Sequence, residues 1–396
     1  MNEMISGGFY APLDDLLAQY GANIVGARSE KMIEANKFNG KVYGLPQGNV
    51  QGGNNRQYII RKDLREKYGI GPIKTLDELK EFAYAVGKND PSVIPWGTQT
   101  GNSSYVPFVL SEEYDPYFRS TGALGQSLVL YFNANDGKVH NLFDEMEPKI
   151  WARILEARQL YQDKIIHQDV LAVKDMSAEM KSGKIAILVA NDFGVPDALL
   201  AVQDNVAGAE LESVNFFDQK AQITDFKQNN FIALSESSSH KEAAIQFLDW
   251  AASSQENYDL LAYGIEGVNW EAVGDKQYKS IGSGYAWFPF MWNWDPTHDR
   301  MNANFSQDVL DIYKQEQDPA NFTEDILTGF SFDASPVTNE LAQYNQIEQK
   351  YYAGIMNGVM DPDGTWATFK KEGAALAKKI QNEYQKQVDA FLAAKP

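Results

Sequence analysis

The pattern of apolar and polar positions sets out the elements before any composition is considered. From Pro12 the chain reads Pro-Leu-Asp-Asp-Leu-Leu, which places Leu13, Leu16 and Leu17 on one side of a short helix. Gly40 to Pro46 reads as a turn followed by a short strand, and Tyr58-Ile-Ile60 as a second strand running into the charged stretch Arg61 to Lys67. Thr75 and Glu78 form a capping-box pair for a helix whose Leu76, Leu79, Phe82, Ala83 and Val86 recur at helical spacing and which Gly87 closes. Leu128 to Phe132 and Lys138 to Leu142 flank Asn133-Ala-Asn-Asp-Gly137, the turn chemistry of a β-hairpin. Pro148 opens a helix that turns Ile150, Ile154, Ala157 and Tyr161 inward.

After a short helix ending at Lys181-Ser-Gly183, the run Ile185-Ala-Ile-Leu-Val-Ala190 is apolar without alternation, as in a strand buried on both faces. It stops at Asn191-Asp192-Phe193-Gly194, and Pro196 restarts a helix. Ligands of open α/β sheets sit at the carboxyl ends of strands, so this loop is a candidate for ligand contact. Phe231 to Leu234 is a further strand, followed by Ser239 and Glu242 as a second capping box and a helix carrying Ala244, Phe247, Leu248 and Ala251. Gly264 to Asp299 reads as aromatic loop. From Asn339 onward the chain is helical, with Trp366, Phe369, Leu376, Ala377, Ile380, Tyr384 and Val388 along one face. Strands alternate with helices, so the fold class is α/β. No repeat or low-complexity linker appears, and two lobes joined by several short crossings are expected rather than beads on a string.

Composition narrows the chemistry. At 396 residues and 44% hydrophobic the chain is long enough for two domains, and its formal charge of −19 argues against a nucleic-acid groove or an anionic membrane surface as partner. Cysteine is absent, which removes thiolate zinc sites, cysteine nucleophiles and disulfides. His140, His167, His240 and His298 are dispersed without metal-ligand spacing, so surface or capping roles are expected and no metal or cofactor is called for. The longest apolar runs are too short to cross a bilayer, and residues 1 to 20 do not read as a signal segment. No G-x-S-x-G, P-loop or dinucleotide motif occurs. Asp361-Pro-Asp-Gly364 resembles part of a calcium loop but lacks the remaining ligands, so a turn is expected.

The richest segment is Tyr285-Ala-Trp-Phe-Pro-Phe-Met-Trp-Asn-Trp-Asp295. Four of the eight tryptophans, Trp270, Trp287, Trp292 and Trp294, fall between residues 270 and 294, with no clean periodicity. Such a segment is either an aromatic core under a long loop or a platform on which pyranose rings stack while Asn, Asp and Gln take the hydroxyls. Trp292 and Trp294 alternate with Met291 and Asn293, so one set alone can face a ligand. For glycoside cleavage the nearby carboxylates Glu266 and Asp295 are the nominees, on a signal without specificity.

Asn39-Gly-Lys-Val-Tyr-Gly-Leu-Pro46, Tyr58-Ile-Ile-Arg-Lys-Asp-Leu64 and Tyr68-Gly-Ile70 with the Thr75 helix resemble the core of bacterial extracellular solute-binding proteins of family 1, the sugar receptors of ABC importers. Gly183 to Asn191 is similar to that family's strand before a cleft loop, and Asn230 to Leu234 with the Lys241 to Trp250 helix to its second hinge and following helix. Tyr263 to Gly267, the tryptophan segment and Gly329 to Val337 resemble the lipoprotein branch often called LipO-like. The resemblance spans essentially the whole chain.

It implies a periplasmic-binding-protein-like fold of type II: two α/β lobes around a ligand cleft, joined by short hinge strands near Gln57-Tyr58 and Lys227-Gln228. Residues 1–57 and 228–299 would form the N-lobe and 58–227 and 300–396 the C-lobe. The implied function is capture of an oligosaccharide by lobe closure and delivery to a membrane permease, by a lipid-anchored, monomeric, non-enzymatic protein on the extracellular face. The implied ligand contacts are Gln47 and Asn49 after Pro46; Gln99, Asn102 and Tyr105 after the Trp96 strand; Asn191, Asp192 and Phe193; and Trp292, Trp294 and Asp295. The family's usual signal peptide, lipobox cysteine and first β-α-β units are not seen ahead of Met1, so an N-terminally shortened copy is expected. The alternatives are a glycoside hydrolase and an interaction protein that has lost its ligand.

Overall fold

A computed structural model describes residues 4–5, 7–38, 40–46, 57–100, 104–113, 118–124, 127–173, 175–190, 201–214, 216, 222–224, 226, 231–282, 295, 297–305 and 307–395. The chain divides into two units: Met1–Asn54 with Ile223–Phe330, and Asn55–Gln222 with Ser331–Pro396. Residues 300–330 therefore belong to the first unit and not, as expected, with the second. Met301–Asn302 adds a parallel strand beside Gln277–Ser280, and the Asp325 amide donates to the Thr224 carbonyl at 2.8 Å, which ties this stretch to the first unit. Hinge residues Lys227 and Gln228 lie outside the described residues.

The second unit is built on a four-stranded sheet ordered Ile94–Gly97, Ile185–Ala190, Gln57–Arg61, Leu211–Val214. The first pair is parallel and the other two are antiparallel. Tyr58, Ile59, Ile60, Ile185, Ala186 and Ile187 are all buried, which is why these strands read as unbroken apolar runs. Beside the sheet the helix Leu76–Asn89 begins on the expected capping box: Thr75 Oγ1 accepts from the Glu78 amide at 3.2 Å and the Glu78 carboxylate accepts from the Thr75 amide at 2.9 Å. Such a cap stabilises by about 1 kcal/mol. Gly87 does not end the helix. A Cβ there would stand 3.1 Å from Ile165 and 3.3 Å from Pro95, so the glycine answers a packing need and the helix stops at Asn89.

Helix Pro148–Gln162 buries Ile150, Ile154, Ala157 and Leu160. Tyr161 lies one position off that face, its hydroxyl donating to the Gln168 carbonyl. The expected hairpin forms from Leu130–Asn133 and Lys138–Asn141, with Phe118–Ser120 as third strand. Its outer edge is covered from the C-terminal helix Pro362–Ala394, where Gln385 accepts from the Val139 amide at 2.7 Å and Gln381 donates to the Val139 carbonyl at 2.6 Å. Asp361 caps that 33-residue helix by accepting from the Asp363 amide, so the Asp-Pro-Asp-Gly stretch is a helix start. Trp366 and Phe369 close an aromatic cluster with Phe143 and with Tyr344 of helix Thr338–Met356.

In the first unit, Leu13, Leu17, Ile24, Val42, Leu45, Ile245 and Leu248 form one core. Strand Leu45–Pro46 pairs antiparallel with Phe231–Ile232. Helix Lys241–Ala252 buries Ile245, Leu248, Ala251 and Ala252 but starts from His240, without a side-chain cap, so the expected Ser239–Glu242 box does not form. Phe247 points outward and stacks on Trp250 at 5.9 Å. On its inner side Asp249 accepts from the Asn23 and Ile24 amides, capping helix Ala22–Gly26 from a neighbouring element. The stretch read as loop contains an antiparallel hairpin, Trp270–Val273 with Gln277–Ser280. Among the described residues no helix is long and apolar enough to cross a membrane.

Candidate functional site

The sheet of the second unit gathers several chain segments at one edge. Gly97 is in register with Leu188, and Ala190 with Gln57, while Tyr58 pairs with Val214. The strands ending at Gly97, Ala190 and Val214 therefore finish where the strand from Gln57 begins. Both carboxyl ends of the parallel pair face this edge, the position at which α/β sheets bind ligands. Gln99 stands two residues beyond one of them and is half-buried; Asn191 is the residue after the other.

Behind the edge lies a buried aromatic floor. Tyr58 packs edge-on against Trp96 at 5.7 Å and Phe108 at 4.8 Å, and Trp96 against Tyr105 at 5.3 Å. Tyr105 is 1% exposed and its hydroxyl donates to Glu156 at 2.9 Å, so its side chain is committed to the floor and not to a ligand-facing surface. Burial, the largest influence on Glu156, would push its carboxyl up; hydrogen bonds from Lys80 and Arg153 outweigh it and hold the group below its ordinary value. The negative charge that receives the Tyr105 hydroxyl is thus secured at neutral pH. At the end of the Ile94–Gly97 strand, Thr98 Oγ1 is buried and has no hydrogen-bond partner among the described residues. A buried orphan hydroxyl costs about 1 to 3 kcal/mol, which a ligand hydroxyl or a neighbouring segment can recover.

The first unit holds its own polar centre around Arg28, which is 7% exposed. Its Nε donates to the Pro46 carbonyl at 2.6 Å and its Nη1 to the Ile24 carbonyl at 2.7 Å. Burial pulls the guanidinium down to about 10, and the Asp295 charge acts against that fall. One side chain therefore ties the end of the Leu45–Pro46 strand, just ahead of Gln47, to helix Ala22–Gly26, within the electrostatic reach of Asp295. Asp295 is 1% exposed; its Oδ1 accepts from the Thr297 amide at 2.9 Å and hydroxyl at 2.6 Å, and its Oδ2 pairs with His298 at 2.9 Å. Both oxygens are engaged, so Asp295 organises a turn from a buried position, while Glu266, the other nominee for glycoside cleavage, is exposed. The following residues are bolted to helix Gln255–Ala262: Arg300 pairs bidentately with Asp259, both contacts at 2.9 Å, and the Tyr263 hydroxyl donates to Asp299 at 2.6 Å. Trp270 is core, with Arg300 over its ring at 5.1 Å.

Gln47, Asn49, Asn102, Asn191, Asp192, Phe193, Trp292 and Trp294 lie outside the described residues. Sequence reasoning missed Thr98 and Arg28. Thr98 lies between the strand end at Gly97 and Gln99, within reach of the strand-end rule as it stands; Arg28 carries no local signal, because its importance comes entirely from burial.

The description "bacterial extracellular solute-binding protein" matches the chain over residues 1–258. The chain belongs to this family. Residues 326–393 of this solute-binding protein further match a domain of unknown function, DUF3502. A carbohydrate ABC transporter substrate-binding protein of Streptococcus pneumoniae serotype 4 is 26% identical over 97% of the chain and 76% of the relative. The crystal structure of the N-glycan transport solute binding protein NgtS of Streptococcus pneumoniae superposes with a TM-score of 0.78 at 21% identity, covering 99% of this chain and 85% of that one. NgtS in complex with Man1GlcNAc gives 0.72 at 21% identity, covering 98% and 85%. The fold is the two-lobed type II fold of solute-binding proteins, and the family places its members outside the cytoplasm.

Proposed function

We propose that this solute-binding protein captures an oligosaccharide and delivers it, chemically unchanged, to the permease of an ABC importer, acting as a lipid-anchored monomer. The observation that carries the reading is the sheet edge of the second unit, where Gly97 and Ala190 end on neighbouring strands beside the Thr98 hydroxyl, which has no partner among the described residues. A neutral hydroxyl and the half-buried Gln99 at this edge are hydrogen-bonding partners suited to sugar hydroxyls, to which Trp292 and Trp294 add ring faces. The name of the pneumococcal relative gives its ligand class as carbohydrate, which supports the same class here.

In this reading Gln99, Asn102, Asn191, Asp192 and Phe193 contact the sugar from one lobe. Gln47, Asn49, Trp292 and Trp294 contact it from the other, with closure of the lobes around it. Tyr105 and Asp295 act behind these contacts as supports. Asp192 accepts sugar hydroxyls as a carboxylate and holds no metal.

Calorimetric titration with Man1GlcNAc, maltotriose and chitotriose tests the proposal, together with tryptophan emission. Saturable binding of at least one probe is expected, weakened about tenfold or more in Trp292→Ala or Trp294→Ala, since a buried aromatic contributes about 1.5 to 3 kcal/mol. Chromatography of the incubated sugars should show no shorter products. Binding of none of the probes would overturn the carbohydrate reading, and cleavage lost in Glu266→Gln would replace it with a hydrolase.

A further inference from the structure

Asn357 ends helix Thr338–Met356 inside the segment that matches the domain of unknown function, and it is 0% exposed. Its side chain reaches across more than 250 positions of sequence. Oδ1 accepts from the Tyr105 amide at 3.0 Å, and Nδ2 donates to the Gln99 carbonyl at 3.2 Å and to Ser104 Oγ at 3.1 Å. The Tyr105 amide opens helix Tyr105–Glu113, so it is one of the donors that a helix cannot satisfy from within. Asn357 thus caps that helix from outside and, with the same amide group, holds the carbonyl at the other end of the loop 99–105.

Asn357 is itself held from behind. Gly358 adopts φ +72°, and a Cβ there would stand 2.0 Å from the Ala157 carbonyl oxygen, so the turn lies directly on helix Pro148–Gln162. Arg158 of that helix donates to the Gly358 carbonyl at 2.9 Å and the Val359 carbonyl at 3.0 Å. The same helix supplies Glu156, which receives the Tyr105 hydroxyl. Backbone and side chain of Tyr105 are therefore fixed to one rigid frame through two separate routes.

We infer that Asn357 is a positioning residue for Gln99 and for the start of helix Tyr105–Glu113, and that the C-terminal helical pair serves this solute-binding protein as a brace for both. The inference rests on the proposed function in assigning Gln99 to the ligand. A buried amide that holds the Gln99 carbonyl on one side and Ser104 and the Tyr105 amide on the other, while also donating to the Ala353 carbonyl of its own helix at 3.2 Å, fixes where those residues stand, because any other placement leaves polar groups unpaired in the interior. Affinity then depends on Asn357 without contact between Asn357 and sugar, since a loop that must be ordered on binding subtracts its ordering cost from the affinity.

The test uses the full chain, the variants Asn357→Ala and Ser104→Ala, and Val388→Ala as a control, a fully buried site on the C-terminal helix away from the loop. Amide hydrogen exchange is followed over residues 98–113 without ligand, and dissociation constants are measured for Man1GlcNAc, maltotriose and chitotriose. Asn357→Ala should speed exchange in this segment by about tenfold or more and weaken the bound probe by about tenfold. Ser104→Ala, which removes one hydrogen-bond partner, should show smaller changes of the same sign. Val388→Ala should lower the melting temperature and leave both the segment's exchange and the affinity unchanged. Unchanged exchange at 98–113 in folded Asn357→Ala and Ser104→Ala overturns the brace whether or not any probe binds. Altered exchange with unaltered affinity overturns the ligand role. A wild-type chain that binds no probe counts against the proposed function and removes the ligand half of the inference, while the exchange data still decide the brace.

Discussion

Glu348 shows how far burial can move a single group in this protein. It lies on helix Thr338–Met356 beside Tyr344 and Tyr352; burial raises its carboxyl to about 7, against a smaller opposing effect of the Ser127 hydroxyl. Below about pH 4.5 folded and unfolded chains both hold this proton, and as the pH rises toward 7 the unfolded chain loses it first. The stability contributed by neutral Glu348 is therefore complete at low pH and gone above about 7, a loss on the order of 3 kcal/mol. Glu348→Gln, neutral at every pH, should be more stable than the parent by that order at pH 8 and no more stable at pH 4.5. Urea titrations at the two pH values decide this, and an equal difference at both would show that the carboxyl is not held neutral. Glu348 had no mark in the sequence, and neither did Arg28 or Asn357, because the first two owe their character to burial and the third to partners more than 250 positions away. The position of Gln99 was legible, since it follows a strand end that its own neighbours announce; Tyr105 followed the same rule and proved to be floor, because the rule fixes location and not the direction of a side chain.

At the level of elements, legibility depended on whether the local pattern was also the tertiary one. The Thr75 capping box and the apolar stripe of its helix agree, and the helix forms as read. Ser239 and Glu242 have the same spacing but the helix starts one residue later, at Lys241, so the box is lost and Phe247 rotates outward. The hairpin Trp270–Val273 with Gln277–Ser280 escaped notice because Trp270 alone is buried in it, which leaves no alternation to read. Glycines at either end of the last helix junction separate backbone need from backbone cost. Gly358 combines positive φ with a carbonyl 2.0 Å from where its Cβ would stand, whereas Gly364, in the first turn of helix Pro362–Ala394, has open space around it. Gly358→Ala should cost about 3 kcal/mol or more through displacement of the turn, while Gly364→Ala should stabilise by about 0.5 to 1 kcal/mol. Thermal melts of both variants test the pair, and a tolerated Gly358→Ala would mean that the turn can move off helix Pro148–Gln162.

On the scale of the whole molecule, the chain passes between its two units three times, after Asn54, Gln222 and Phe330. Alternating strands and helices without a linker made several crossings legible; the position of the third was not, because the short strand at Met301 and the Asp325–Thr224 contact have no signature of their own. The charge of −19 belongs to this scale as well, and it bears on what the protein can bind. Its field repels anions and attracts cations over roughly the 8 Å Debye length of physiological salt, and added salt removes that bias. A neutral sugar held by ring faces and hydroxyl hydrogen bonds experiences neither force. The dissociation constant of a bound neutral oligosaccharide should therefore change less than about twofold between low and high sodium chloride, and the same holds if lobe closure moves no net charge toward the ligand. Affinity that rises about tenfold with salt would identify an anionic saccharide whose approach the protein's own charge opposes, and affinity that falls with salt would identify a cationic ligand; either result would remove neutral oligosaccharides from the function proposed for this fold.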